Sequence, residues 1–185
     1  MSRRSAFLLV LITALTACAT TRVVDIGREE IAGVYSVDSP IPWSRFVDKG
    51  MHIWTVDGPS LAAIYFISKI DEEEPLRPTT AEDRPEYRAD MTLLELQEFL
   101  VDSLTRLGYF QLHIDNSDVA DFGGHQGLRL DFDFLYQDGL EGRGLLVAAI
   151  LEERLYVILY SGVREHYFPR YRDAVEHIIS SISLK

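Results

Sequence analysis

Between Gly127 and Val163 the apolar positions follow strand periods through three successive runs, GLRLDFDFLY, RGLLVAAIL and LYVILYSGV. In the first, Leu128, Leu130, Phe132, Phe134 and Tyr136 fall on one face, with Arg129, Asp131 and Asp133 on the other. The second is apolar throughout from Leu145 to Leu151, the pattern of a strand covered on both faces. In the third, after a tight turn at Glu152-Glu153, Tyr156, Ile158 and Tyr160 alternate with Leu155, Val157 and Leu159. Short polar connections join the three into an antiparallel meander.

Two helical periods accompany it. Thr92-Leu93-Leu94-Glu95 is a capping box, and Leu93, Leu96, Phe99, Leu100, Leu104 and Leu107 form one apolar stripe that stops at Gly108. The second helix spans Phe168–Ile182, with Pro169 in its first turn and Phe168, Tyr171, Val175, Ile178, Ile179 and Ile182 on one side. Further strands are expected at GVYSVDS, Met51–Val56, Leu61–Ile70 and Tyr109–Ile114, with Asp57-Gly58-Pro59 turning the chain between the second and third. Pro40 and Pro42 forbid regular ladder pairing through the segment after GVYSVDS. Asp71–Met91 is the long irregular stretch, proline-spaced and rich in charge. It is expected to add little to the core and to be either a solvated connection or a functional loop.

The start of the chain adds a compartment. Arg3 and Arg4 precede an apolar run, Phe7 to Leu15, too short to span a bilayer, and the run ends in Leu15-Thr16-Ala17-Cys18. This resembles the bacterial lipobox, which implies that residues 1–17 are a lipoprotein signal peptide and that Cys18 is acylated as the mature N-terminus. Ala19 after the cysteine implies sorting to the outer membrane. Residues 18–31 show no sustained period and read as a tether, leaving 32–185 as a single globular domain. Cys18 is the one cysteine, so the domain has neither a disulfide nor a thiol for catalysis. The net charge is −11, and the leader carries two arginines and no acid, so the remainder is more acidic still. Such a surface disfavours nucleic acid and anionic lipid headgroups. Attachment to the membrane is then expected through the acyl chains on Cys18.

Candidate chemistry is sparse. His52 and Trp54 share a strand face next to Asp57, and this trio is the candidate binding surface, against a structural aromatic beside a capped turn. Asp131 and Asp133 lie about 6.5 Å apart along one strand face, a separation compatible with paired-carboxylate hydrolysis, although solvated or cross-strand-paired charges explain them as well. His52, Asp57, His113, His125, Asp131 and Asp133 are the pool from which the alternative, an envelope hydrolase, would have to be assembled. Asp115, Asn116, Asp118 and Asp121 do not match an EF-hand loop. No HExxH, Cys/His, GxSxG, Walker or GxGxxG pattern occurs, so no metal or cofactor is expected.

The order of elements, strands, long loop, helix, strand, meander, helix, with Gly-containing turns such as FGGHQG and DGLEGRG, resembles the PsbP-like fold of small bacterial envelope lipoproteins of the DcrB type. That resemblance covers about Val34 to Lys185. It implies an α+β protein, an α/β/α sandwich whose antiparallel sheet carries one helix on each face. It also implies a non-catalytic accessory module that binds an envelope protein or a small ligand; no functional residue is carried over from it.

Overall fold

The computed structural model describes residues 22–185, so the signal-peptide expectation and Cys18 lie outside the described residues. Among the described residues eleven strands and two helices succeed one another: β1 (Arg22–Val24), β2 (Gly27–Ile31), β3 (Tyr35–Ser39), β4 (Trp43–Asp48), β5 (Met51–Thr55), β6 (Ala62–Ile70), α1 (Leu93–Arg106), β7 (Phe110–Phe122), β8 (His125–Leu135), β9 (Glu141–Leu151), β10 (Arg154–Val163), α2 (Tyr167–Ser180) and β11 (Ser183–Leu184). Eight strands form one sheet in the order β1-β4-β5-β6-β10-β9-β8-β7, and a smaller sheet runs β11-β3-β2. Every neighbouring pair is antiparallel.

The alternation that marks the meander sorts its side chains into two cores. Leu145, Val147, Ala149, Tyr156, Ile158 and Tyr160 pack with Phe168, Tyr171, Val175 and Ile178 of α2. Their sequence neighbours Leu146, Ala148, Leu155, Val157 and Leu159 pack with Leu96, Phe99, Leu100 and Leu104 of α1. The small sheet adds Ile31, Tyr35 and Val37 to the α2 cluster. Helix α1 starts as its sequence requires: Thr92 Oγ1 accepts from the Glu95 amide, and the Glu95 carboxylate accepts from the Thr92 amide at 2.9 Å. Helix α2 is preceded by His166 at the N-cap position, which makes no side-chain cap bond.

Three expectations change. The segment read as a tether is part of the fold: β1 pairs with β4, β2 pairs with β3, and Val24 and Ile31 are buried. Short polar-looking strands of this kind are set by tertiary pairing, which a periodicity over so few residues cannot announce. The strand expected over Tyr109–Ile114 runs on through the acidic residues to Phe122, as an edge strand whose polar side chains face solvent. Finally, the 71–91 loop does contribute core, since Leu76 and Tyr87 are buried in the α1 cluster.

Candidate functional site

The residues singled out by sequence do not gather. Trp54 is fully buried against Phe66, ring centroids 4.7 Å apart, and so offers no surface to a ligand. This corrects its place in the candidate binding trio: two-residue spacing puts it on the α2 side of the sheet, where it joins the cluster of the small sheet and α2. His52 lies on that face too, half-buried, with Nδ1 unpartnered. Burial, and after it the charge of Arg45, holds its pKa below the usual value, with Glu29 opposing. Asp57 accepts a hydrogen bond from the Tyr171 hydroxyl and stands 3.6 Å from Arg170. Burial and that bond push the Tyr171 phenol up to about 12. Asp57 therefore ties the β5–β6 turn to α2.

The carboxylates of β8 are answered by arginines. Asp131 accepts from Arg129 Nε at 2.9 Å and Nη2 at 3.2 Å, while Arg129 also grips Glu176 of α2 at 2.7 and 2.8 Å. Asp133 stands 3.5 Å from Arg164 and 3.9 Å from Arg143. His113 sits on the exposed edge strand in register with Asp133, and His125 is exposed at the start of β8. Among the described residues no hydrogen bond joins any two of His52, Asp57, His113, His125, Asp131 and Asp133. No group of three or more His, Cys, Asp or Glu side chains there is placed to hold a metal ion. General acid–base chemistry needs two or three such groups within reach of one substrate atom, and this arrangement does not supply them.

A different site lies under the 71–91 loop. The loop is closed at its base, where the Glu73 amide donates to the Tyr87 carbonyl at 2.8 Å and the Tyr87 amide donates to the Glu74 carbonyl at 2.9 Å. Tyr87 anchors it further, its ring tilted against Phe99 and its hydroxyl donating to the Glu153 carbonyl at 3.2 Å. Between these anchors the chain arches over a cavity of about 320 Å³, walled by the loop, the β4–β5 turn and the last turn of α1. A contiguous hollow of about 340 Å³ runs along the start of β5 and the end of β6. Met51 and Ile53 face this side and Trp54 the other, so the loop and Trp54 are on different sides of the sheet.

The cleft is basic in an acidic protein. Lys49, Arg77, Arg84 and Arg106 line the first cavity against one acid, Asp83, whose side chain is almost fully exposed. Arg77 is paired with Asp48 at 2.5 Å, Arg84 with Glu86 at 3.4 Å, and Arg106 with Asp102 at 3.3 Å. These pairs leave donors over. Arg77 Nε, Arg84 Nε and Ser103 Oγ are enclosed and have no hydrogen-bond partner. Each such group costs on the order of 1–3 kcal/mol when left unmet. In the sequence only the interleaving of arginines and prolines between 75 and 85 hinted at the site, because Lys49 and Ser103 reach it from distant elements.

A scan against protein-family models and a search of curated proteins each give no match. Solved structures do. Cyanobacterial PsbP from Synechocystis sp. PCC 6803 aligns at TM-score 0.59 and 12% identity over 95% of this chain and 99% of that one. The fold is PsbP-like. A Bacteroides thetaiotaomicron VPI-5482 protein aligns at TM-score 0.53 and 12% identity over 88% of this chain and 49% of its own, so the PsbP-like domain spans about half of that protein. LpqN of Mycobacterium tuberculosis, described as involved in cell envelope biogenesis, aligns at TM-score 0.46 and 12% identity over 92% of this chain and 87% of its own. Identities this low describe the PsbP-like scaffold and not its ligand.

Proposed function

We propose that this chain is a lipid-anchored accessory protein of the cell envelope that binds a partner or ligand without transforming it, and that the cleft under the 71–91 loop is its working surface. The observation that carries the reading is a contrast. The His and Asp side chains that could do chemistry are separated, and the carboxylates among them are neutralised by arginines or tied to Tyr171. Three unmet groups, Arg77 Nε, Arg84 Nε and Ser103 Oγ, belong instead to residues that line the basic cleft, whereas Tyr35 Oη and Trp54 Nε1, also unmet, are packed in the α2 cluster. The division of the core supports an α/β/α layering with one helix on each face, the small sheet sharing the α2 side. In that layering the loop and α1 form one outer surface of the molecule.

The anchor rests on Leu15 to Cys18 and the basic, apolar leader before it. Among the described residues no helix is long and apolar enough to cross a membrane. Acylation at Cys18 would supply membrane attachment, with outer-membrane sorting implied by Ala19, and would hold the cleft near envelope components. Two linked measurements test the proposal. Cys18→Ala should release the protein from the membrane fraction and remove the acyl mass from the mature N-terminal peptide; unchanged retention defeats the anchor. A photo-crosslinking residue placed at exposed Thr79 in cells should yield adducts that the same residue at Arg172 on α2 does not. Equal yields at both positions defeat the assignment of the surface.

A further inference from the structure

We infer that the cleft beneath the 71–91 loop binds a phosphate-bearing ligand, a phosphomonoester carried either by a small soluble molecule or by a lipid headgroup. This rests on the reading of the cleft as the binding surface and names the chemistry it takes. In a chain with 29 acidic and 18 basic residues, four cations line one cavity; the three arginines are paired with Asp48, Glu86, Asp102 and Asp83, and Lys49 is the fourth. Lys49 makes no ion pair among the described residues. It sits at φ 48° in the turn with Gly50, a left-handed backbone that a lysine does not favour, and that turn delivers its side chain to the rim.

The donors come from three separate elements: Lys49 from the β4–β5 turn, Arg77 and Arg84 from the loop, and Ser103 and Arg106 from α1. Donors converging from several directions suit a tetrahedral group with three terminal oxygens better than a planar carboxylate with two. Ser103 is a sharp indicator. It is 5% exposed, lines the cavity, and its Oγ has no partner, whereas Thr105 two residues on bonds back to the Val101 carbonyl at 2.8 Å. Of the acids nearby, Asp83 pairs with Arg106 at 3.4 Å with its own side chain largely exposed, and Glu73 and Glu74 line the second hollow. The C-terminal end of α1 opposes an anion with roughly half a charge, and Arg106 in its last turn offsets that. A cavity of about 320 Å³ has room for the phosphate and a small ester group.

The test is calorimetric titration of the mature, detergent-solubilised protein with three probes: inorganic phosphate, glycerol 3-phosphate, and dihexanoyl phosphatidic acid below its micelle concentration. Lys49→Gln and Ser103→Ala are the informative variants, because neither side chain has a structural partner to lose. Both should keep the wild-type Tm and weaken binding about tenfold. Arg172→Gln on α2, which removes the same charge elsewhere, should leave binding unchanged. Tighter binding of glycerol 3-phosphate than of the phosphatidic acid identifies a soluble ester as the source, and the reverse order identifies a lipid headgroup. The inference is overturned if none of the probes binds, or if the two cleft variants bind as wild type. Adducts at Thr79 without phosphate binding would sink the ligand class and leave the binding surface standing; loss of both would sink both.

Discussion

The main-chain amide of Glu73 donates to the carbonyl of Tyr87, and the Tyr87 amide donates in turn to Glu74, so the residues between them form a closed excursion rather than a free connection. That closure holds the arginines of the loop over the cleft. Removing the Tyr87 ring takes away a fully buried aromatic and the contact with Phe99. Tyr87→Ala should therefore cost about 3–5 kcal/mol in urea denaturation. Tyr87→Phe, which loses the bond to the Glu153 carbonyl, should cost about 1 kcal/mol. A Tyr87→Ala variant within about 0.5 kcal/mol of wild type would mean that the loop is not pinned there.

Phe132 and Phe134 of β8 each lie over a glycine that faces them across the ladder, Gly144 and Gly142 in β9. A Cβ added at Gly144 would come within 2.1 Å of the Phe132 ring, and one at Gly142 within 2.3 Å of Phe134. Gly144→Ala must displace a buried ring and should destabilise by about 1–3 kcal/mol or more, with an altered near-ultraviolet dichroism spectrum. A neutral Gly144→Ala would show that the ring moves aside freely.

His52 makes stability depend on acid. The unfolded chain takes up a proton near pH 6.5, whereas burial and Arg45 delay the same uptake in the folded protein. The unfolded state then binds more protons over that interval, so stability falls as pH drops through 6.5. His52→Gln should flatten the dependence of the urea midpoint between about pH 8 and pH 5. An unchanged slope would place the acid sensitivity in other groups.

Much of the architecture was legible because burial and period coincide. Leu128 to Phe134 alternate, β10 alternates between two cores, and Thr92 with Glu95 announces the start of α1. What escaped were elements whose stability comes from partners. Strand β9 begins at Glu141, but Gly142 and Gly144 look like turn residues until the rings of Phe134 and Phe132 are seen to need the space. Strand β4, with Arg45 bound to Glu29 at 2.5 Å, reads as a polar connection because its pairing with β1 and β5 is tertiary. The trio at His52, Trp54 and Asp57 was visible as a pattern, yet Trp54 serves packing and Asp57 the tie to Tyr171. The cleft was invisible for the opposite reason. Lys49, Arg84 and Ser103 are far apart in sequence and meet only because Tyr87 folds the loop back.

Hydrogen–deuterium exchange on the mature protein, with and without saturating glycerol 3-phosphate, tests most directly whether that cleft takes a phosphate-bearing ligand. Slowed exchange is expected, confined to the loop amides of 75–85, the Lys49–Gly50 turn and the last turn of α1, and lost in Lys49→Gln. Unchanged exchange throughout, or slowing that falls instead on β7 or α2, would contradict a phosphate site in the cleft.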